Sequence, residues 1–192
     1  MAGRRQFDEE AVLGAAEGLF RAQGYGATSM LDLARASGVQ RGSLYHAFGD
    51  KEQVFLRTFA RYRERFLAAA AEALADPDPR RGLAAFLEIA IANMTAGPVR
   101  GCLSTRLASE GTQGNARVCD EVRVLLDGLE RLLEEAATRA GAACALPPGE
   151  AARLVVTFTR GLAVMERVHG DAERLRESVA SFVALLFPRR PS

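Results

Sequence analysis

The stretch "TSMLDLARASGVQRGSLYHAFGDKEQVF", residues 28–55, decides the fold predicted for this chain. Ser29 and Asp32 have the spacing of a helical capping box, which predicts a short helix over about residues 29–36. Gly38 then permits a tight turn after this helix. The apolar positions of the helix are Met30, Leu33 and Ala34.

A second short helix is predicted after the turn, over about residues 40–47. Gly49 ends it, and Asp50 caps a long helix that is predicted over about residues 51–74. The positions of the second helix that face inward are Leu44, Ala47 and Phe48.

An earlier helix precedes this pair, because apolar residues recur at helical spacing between Asp8, a suitable N-cap, and Gly24, which stops the helix. Two short helices joined by a tight turn and braced by a third form a helix-turn-helix. Residues 1–50 are therefore predicted to be a three-helix DNA-binding domain.

The rest of the chain has helical periodicity and almost no strand signal. Breaks rich in Pro and Gly predict five further helices, over about residues 81–95, 101–110, 115–140, 149–169 and 171–187. The sequence thus predicts an all-α protein of about nine helices. Its C-terminal bundle covers residues 51–192, and the helix over 51–74 links the two parts.

The composition is that of an ordinary globular protein, with 48% hydrophobic and 26% charged residues among 192. No apolar run approaches the roughly 20 residues needed to span a membrane, and no secretory signal is visible. Three widely spaced cysteines form neither a zinc pattern nor a disulfide framework, which favours a reducing cytoplasm. We therefore expect a cytoplasmic protein that does not contact a membrane.

Net charge gives little support for nucleic-acid binding. The formal charge of the chain is +1, and residues 1–51 carry six basic and six acidic residues. A DNA-binding function must then depend on where individual charges lie.

The second helix of the motif presents a polar face of the kind that reads base edges in the major groove. Gly42 would let its backbone come close to the duplex, while Thr28, Ser29 and Lys51 lie at helix N-termini suited to phosphate contacts. The side chains of the predicted reading face are Gln40, Arg41, Ser43, Tyr45 and His46.

Residues 7–55 resemble the DNA-binding domain of the TetR family of transcriptional regulators. The matching residues are Phe20, Gly24, Thr28, Ser29, Ala34, Gly38, Val39, Gly42, Leu44, Tyr45, Phe48, Lys51 and Glu52. The resemblance implies phosphate contacts from Thr28, Ser43, Tyr45 and Lys51, and base contacts from Gln40, Arg41, Gly42 and His46. It also implies a homodimer on a palindromic double-stranded DNA operator and a small-molecule effector. Residues 51–192 would then be the effector-binding and dimerisation domain.

Three of these residues have an ordinary alternative interpretation. Tyr45 could be a packed aromatic side chain, and His46 a solvated helix residue. Lys51 could be a surface charge, although a cation in the first turn of a helix is disfavoured unless an anion lies nearby. Arg41 stands where the family often has lysine, and arginine can bind guanine through two hydrogen bonds.

The candidate effector pocket is drawn from the apolar stripes of three later helices, which are first of all packing surfaces. Arg106 could meet a ligand anion, or it could pair with Glu110 one turn away. The candidates are Phe86, Ile89, Met94, Cys102, Leu103, Arg106, Leu107, Phe158 and Met165.

Cys102 lies in "RGCLSTRLASE", residues 100–110, which resembles a segment that opens the sixth helix in some TetR-family members. A thiol near a helix N-terminus and flanked by arginines can have a lowered pKa and sense oxidants or electrophiles. The alternative is a small buried residue.

The last two helices carry apolar stripes that suit a two-fold, four-helix dimer interface. The candidates are Val155, Leu162, Glu166, Leu175, Val179, Phe182, Val183 and Leu186.

With the resemblance to the TetR family, these patterns lead us to expect a ligand-responsive repressor that leaves a palindromic operator when an effector binds. We expect no enzymatic activity, cofactor or metal, since the sequence has no metal-ligand motif, phosphate loop or nucleophile elbow. Two alternatives stay open. One is a small-molecule-binding or redox-sensing helical protein that acts through Cys102 with weak or no DNA binding. The other is an activator.

Overall fold

The computed structural model describes residues 7–95, 101–109 and 115–188. These residues form nine α-helices, one short 3-10 turn at Gly141–Ala143 and no strand, so the all-α prediction is confirmed. The helices are α1 Glu9–Ala27, α2 Met30–Ser37, α3 Arg41–Phe48, α4 Lys51–Leu74, α5 Pro79–Thr95, α6 Leu103–Ser109, α7 Ala116–Ala140, α8 Pro148–His169 and α9 Ala172–Leu186.

The end of α1 differs from the prediction. Gly24 has φ 81° and ψ 177°, a backbone conformation that is essentially restricted to glycine, and it breaks the helix as expected. One more turn follows the break and carries the chain to Ala27. This turn places the ring of Tyr25 against Phe20 and Phe55 in the core.

The long helix α4 forms the spine of the molecule and packs against α1, α3, α5 and α7. Four of its aromatic residues lie three or four positions apart, so their rings share one face. Successive ring centroids along Phe55, Phe59, Tyr62 and Phe66 are 5.5, 5.6 and 6.0 Å apart. A single core therefore continues from α1 through α4 into the bundle, and the domain boundary at residue 50 stays a prediction.

The C-terminal helices close the bundle around α4. Helix α7 packs most extensively against α8, and α9 packs against α5 and α8. The Ala145 N–H, in the connection before α8, donates to the carbonyl of Leu186 at 2.8 Å and fixes the end of α9.

Candidate nucleic-acid interface

Helix α2 and the turn that follows it are formed by the capping box and the glycine from which they were predicted. The Asp32 N–H donates to Ser29 Oγ at 3.2 Å, and the Ser29 N–H donates to Asp32 Oδ2 at 3.0 Å, which completes the capping box. The Ser29 hydroxyl and backbone hydrogen bonds lower the pKa of the Asp32 carboxyl. Gly38 adopts the left-handed conformation, with φ 68°, and redirects the chain into α3.

Helix α3 divides cleanly into a buried and an exposed side. Leu44 is fully buried and Phe48 is nearly so, with the Phe7 ring 6.1 Å from that of Phe48. Ser43 is half-buried. The exposed residues are Gln40, Arg41, Gly42, Tyr45 and His46. The face predicted to read DNA is therefore the solvent-facing side of α3.

Arg41 and Tyr45 form one unit on this face. The Arg41 guanidinium lies 5.4 Å from the centroid of the Tyr45 ring and donates to the Tyr45 hydroxyl at 3.3 Å. Tyr45 is 42% exposed, so it is not a core aromatic residue. The stacked ring limits the rotamers of the arginine and so reduces the entropy that it loses on binding.

Gly42 is not required by the packing of the protein itself. A methyl group at this position would meet no atom of the described residues within 4 Å, and the backbone φ is not positive. Because Gly42 has no side chain, the backbone of α3 next to Arg41 is open to a close approach by a duplex.

The hydroxyls of Thr28 and Ser29 already have partners in the protein. Thr28 is buried and donates to the carbonyl of Gly24 at 2.6 Å. The Ser29 hydroxyl donates to Asp32 Oδ2 at 2.6 Å as part of the capping box. Because the Ser29 N–H is also engaged by Asp32, a phosphate contact from Ser29 would require a rearrangement of the capping box, and one from the Thr28 hydroxyl would require a rearrangement of that hydroxyl.

Lys51 is held at the N-terminus of α4 by Tyr25. Its ammonium donates to the carbonyl of Tyr25 at 3.0 Å and lies 4.3 Å from the centroid of the Tyr25 ring. This arrangement supplies the negative potential that a cation in the first turn needs. The half-buried ammonium has further hydrogen atoms to donate, so a phosphate contact stays a prediction.

Tyr25 also connects the N-terminus of α4, where Lys51 lies, to the start of α7. This contact was not predicted from the sequence. Asn115, the N-cap of α7, donates to the Tyr25 hydroxyl at 3.1 Å and to Glu52 Oε2 at 2.9 Å. Arg117 donates to the other oxygen of Glu52 at 2.7 Å. Burial raises the pKa of Tyr25. Hydrogen bonds thus link the start of α7 to the N-terminus of α4, where Lys51 lies.

The acidic residues of α1 face arginines of α4, which lie beyond the N-terminal residues 1–51. Helix α3 itself carries no carboxylate. The pairs on the seam between α1 and α4 are Glu9–Arg57 at 3.8 Å, Glu10–Arg61 at 2.8 Å and Glu17–Arg65 at 2.9 Å. Ion pairs with a solvent-accessible arginine add little stability, but these three place the carboxylates of α1 along α4 and away from α3.

The structure places most of the predicted pocket residues in the core. Ile89 and Phe158 are half-buried, and Met165 is exposed. Arg106 is half-buried, and Glu110, its possible partner, lies outside the described residues. The fully or almost fully buried candidates are Phe86, Met94, Cys102, Leu103 and Leu107. An effector pocket among these residues stays a prediction.

Cys102 lies beside a cation that the sequence did not indicate. The Arg160 guanidinium, from α8, is 3.9 Å from the Cys102 sulfur and donates to Ser104 Oγ at 2.7 Å. Ser104 Oγ is itself 3.1 Å from the sulfur. Burial opposes ionisation of the thiol, but Arg160 and hydrogen bonds from Ser104 and Thr105 outweigh it and lower the pKa of Cys102 to about 7.

The predicted dimer residues lie mainly inside a single chain. Phe182 is half-buried and stacks on Phe158 at 3.9 Å. The buried candidates are Val155, Leu162, Glu166, Leu175, Val179, Val183 and Leu186. A different set of apolar side chains on the same two helices is exposed, namely Leu154, Val164, Met165, Val168 and Leu185.

Comparison with known proteins matches the N-terminal part of the chain to regulators. Residues 12–58 match the family described as "Bacterial regulatory proteins, tetR family". The chain is 44% identical over 62 residues to the HTH-type transcriptional repressor ComR of Escherichia coli (strain K12), covering 32% of this chain and 30% of ComR. It is 37% identical over 81 residues to the HTH-type transcriptional regulator LmrA of Bacillus subtilis (strain 168), covering 41% of this chain and 43% of LmrA. The match therefore spans less than half the length of each of these relatives.

A structural comparison covers nearly the whole chain. A cysteine mutant of the TetR family transcriptional regulator CifR, in a crystal with 26-bp operator DNA and the apo protein, is 28% identical, with a TM-score of 0.84. The superposition covers 94% of this chain and 98% of that one. Within the described ranges, every helix is too short or too polar to span a bilayer. The same ranges contain no group of His, Cys, Asp or Glu side chains arranged to hold a metal ion.

Proposed function

Since the chain belongs to the TetR family of bacterial regulatory proteins, we propose that it is a transcriptional repressor that a small-molecule effector releases from a palindromic operator. It acts as a homodimer in which each α3 helix enters the major groove of one half-site. Arg41 and Gln40 contact base edges, and Tyr45, Ser43 and Lys51 contact phosphates. His46, at the C-terminal end of the exposed face, also points toward the groove.

The exposed face of α3 is the observation that carries this proposal. It presents Arg41, stacked on Tyr45, beside the flat surface at Gly42, on a helix without a carboxylate. The acidic residues of α1 are paired with α4 along a different seam. A face of this kind offers hydrogen-bond donors to a duplex and places little like charge against its phosphates.

The relatives support the same function. ComR is a transcriptional repressor, and the CifR crystal contains operator DNA. Binding energy from an effector in the bundle would favour a dimer in which the two α3 helices no longer fit successive grooves. The link from α7 through Asn115 to Tyr25 and Lys51 is a contact through which such a change would reach the interface.

A mobility shift and footprint on the DNA flanking the gene of this protein tests the proposal. The purified chain should protect a palindrome, with an affinity that falls steeply as salt concentration rises. A control duplex of scrambled sequence should bind weakly and without a defined footprint. An affinity for both duplexes that is equal and insensitive to salt would contradict the proposal.

A second candidate function, sensing of electrophiles or oxidants through Cys102, is favoured by the guanidinium of Arg160 beside its sulfur. Because the thiolate is the reactive form, a cation at this position makes Cys102 more nucleophilic near neutral pH. Ionisation in the folded state also adds stability at high pH, and this stability is lost as the pH falls through about 7.

The ultraviolet absorbance of the thiolate tests the role of Arg160. The difference in absorbance between the unchanged chain and Cys102→Ser should titrate with a midpoint of about 7. Arg160→Gln should raise that midpoint, since burial would then be opposed only by the hydrogen bonds from Ser104 and Thr105. A midpoint that stays the same in Arg160→Gln would exclude this charge as the cause of the lowered pKa.

A further inference from the structure

A cavity of about 170 Å³ lies at the end of the bundle opposite α3. It is bounded by the C-terminal ends of α4, α7 and α9 and by the N-terminal turns of α5 and α8. Because α4 starts next to α3 and is 24 residues long, the cavity is roughly 36 Å from the reading helix. It shares no lining residue with the predicted effector pocket.

The walls of the cavity are mostly apolar, and several of them are made by residues with very small side chains. Leucines and a phenylalanine form its sides, whereas alanines of α7 and α8 leave space that a longer side chain would fill. The walls include Leu74, Leu83, Ala137, Ala151, Ala152 and Phe187, all of which are buried. Among the lining residues, Asp76 and Arg139 alone have polar side chains, so few side chains are available to hold an ordered water.

The charged residues at the rim are already engaged within the protein. Arg139 donates to the carbonyl of Leu74 at 3.0 Å, which also satisfies a carbonyl in the last turn of α4. Asp76 accepts from the guanidinium of Arg81 at 2.9 Å. A charged ligand would have to compete with these hydrogen bonds of Arg139 and Asp76, whereas a neutral ligand would not.

We propose that this cavity binds one small, neutral, apolar molecule, of the size of a single aromatic ring or a short branched alkyl group. An engineered cavity of about 150 Å³ lined by Leu, Ile and Phe in another protein stays dry and binds benzene or xenon. Removing apolar ligand surface from water drives binding without any hydrogen bond. The site is independent of the proposed DNA binding, because it can be occupied in the free protein.

Methyl NMR of the full-length chain with benzene as the probe tests this site. Benzene should shift the methyl signals of Leu74 and Leu83 saturably. Ala151→Leu, which fills the cavity, should weaken binding at least tenfold. Ala71→Leu is the matched control, because Ala71 is exposed on α4 and lies outside the lining, and it should bind benzene like the unchanged chain.

A lack of saturable shifts at these leucines, or equal binding by Ala151→Leu and the unchanged chain, would overturn the proposal. Crystals of the unchanged chain under xenon pressure give a second measurement that needs no variant. A xenon peak among Leu74, Ala151 and Phe187 supports the site, and a cavity that holds water instead overturns it. Neither measurement involves DNA, so a failure here leaves the proposed repressor function intact.

Discussion

The guanidinium of Arg41 is the group on α3 best placed to distinguish bases. It is exposed, stacked on Tyr45, and able to donate two parallel hydrogen bonds to guanine. Arg41→Ala should weaken operator binding by about 1–3 kcal/mol and relax the base preference at one position of each half-site. Fluorescence anisotropy with a panel of single-base operator variants measures both effects. Arg131→Ala, an exposed arginine on α7, is the control and should change neither.

Lys51 should behave differently, because its contact is to a phosphate. Lys51→Ala should weaken binding to all sequences alike and reduce the salt dependence by about one counterion. The variant also removes the hydrogen bond to the Tyr25 carbonyl, so its unfolding temperature must be measured alongside. A loss confined to particular operator sequences would show that Lys51 acts through the position of α3 instead.

A substitution at Gly42 distinguishes an effect on folding stability from an effect on DNA binding. An added methyl group meets no described atom in the protein, and alanine is the better helix former by up to about 1 kcal/mol. Gly42→Ala should therefore leave the unfolding temperature unchanged or raise it. Operator affinity should nevertheless fall at least about tenfold, if the duplex backbone or a base edge lies against this surface.

Gly18→Ala supplies the matched control for Gly42→Ala. Gly18 is also exposed on a helix with open space around it, but it lies on α1. It should keep full operator affinity. If both variants bind like the unchanged chain, α3 does not approach the duplex at Gly42.

Helix α8 shows why an apolar stripe in sequence does not identify an interface. It carries two stripes at helical spacing, displaced by one residue, and periodicity alone cannot distinguish the one that faces the core. Val155 and Leu162 belong to the buried stripe that was predicted to meet a partner. Leu154 and Val168 belong to the exposed one, and Val168 is 68% exposed.

We therefore expect the exposed stripe of α8, together with the exposed Leu185 of α9, to form the dimer interface. Val168→Glu combined with Leu185→Glu places charges on this face without touching the monomer core, since Leu185 is 75% exposed. The double variant should be a folded monomer in analytical ultracentrifugation and should lose most of its operator affinity. Val124→Glu, at an exposed valine of α7, should remain a dimer. A double variant that stays dimeric would place the interface elsewhere.

Across the whole molecule, local signals predicted the helices well. Asp8, Ser29 and Asp50 cap the helices that they were expected to cap, because capping depends on residues two or three positions away. Outside the end of α1, the predicted helix boundaries differ from the structure by no more than two residues. The exposed face of α3 was also predicted, since Leu44 and Phe48 fix which side is buried.

Contacts between distant residues were not predictable in this way. Cys102 and Arg160 are 58 positions apart, and Tyr25 and Asn115 are 90 apart, so no local spacing indicates either contact. The choice between two apolar stripes on α8 likewise depends on tertiary packing. The DNA contacts themselves stay predictions, because they depend on a partner molecule.

Selection of duplexes from a random pool by the purified full-length chain tests the central claim most directly. We expect enrichment of one palindrome whose half-site centres are about one helical turn apart or a multiple of it. The same selection with Arg41→Ala should yield a palindrome with a relaxed position in each half-site. The absence of any enriched palindrome at low salt, or one unchanged by Arg41→Ala, would contradict the assignment of α3 as the helix that reads DNA.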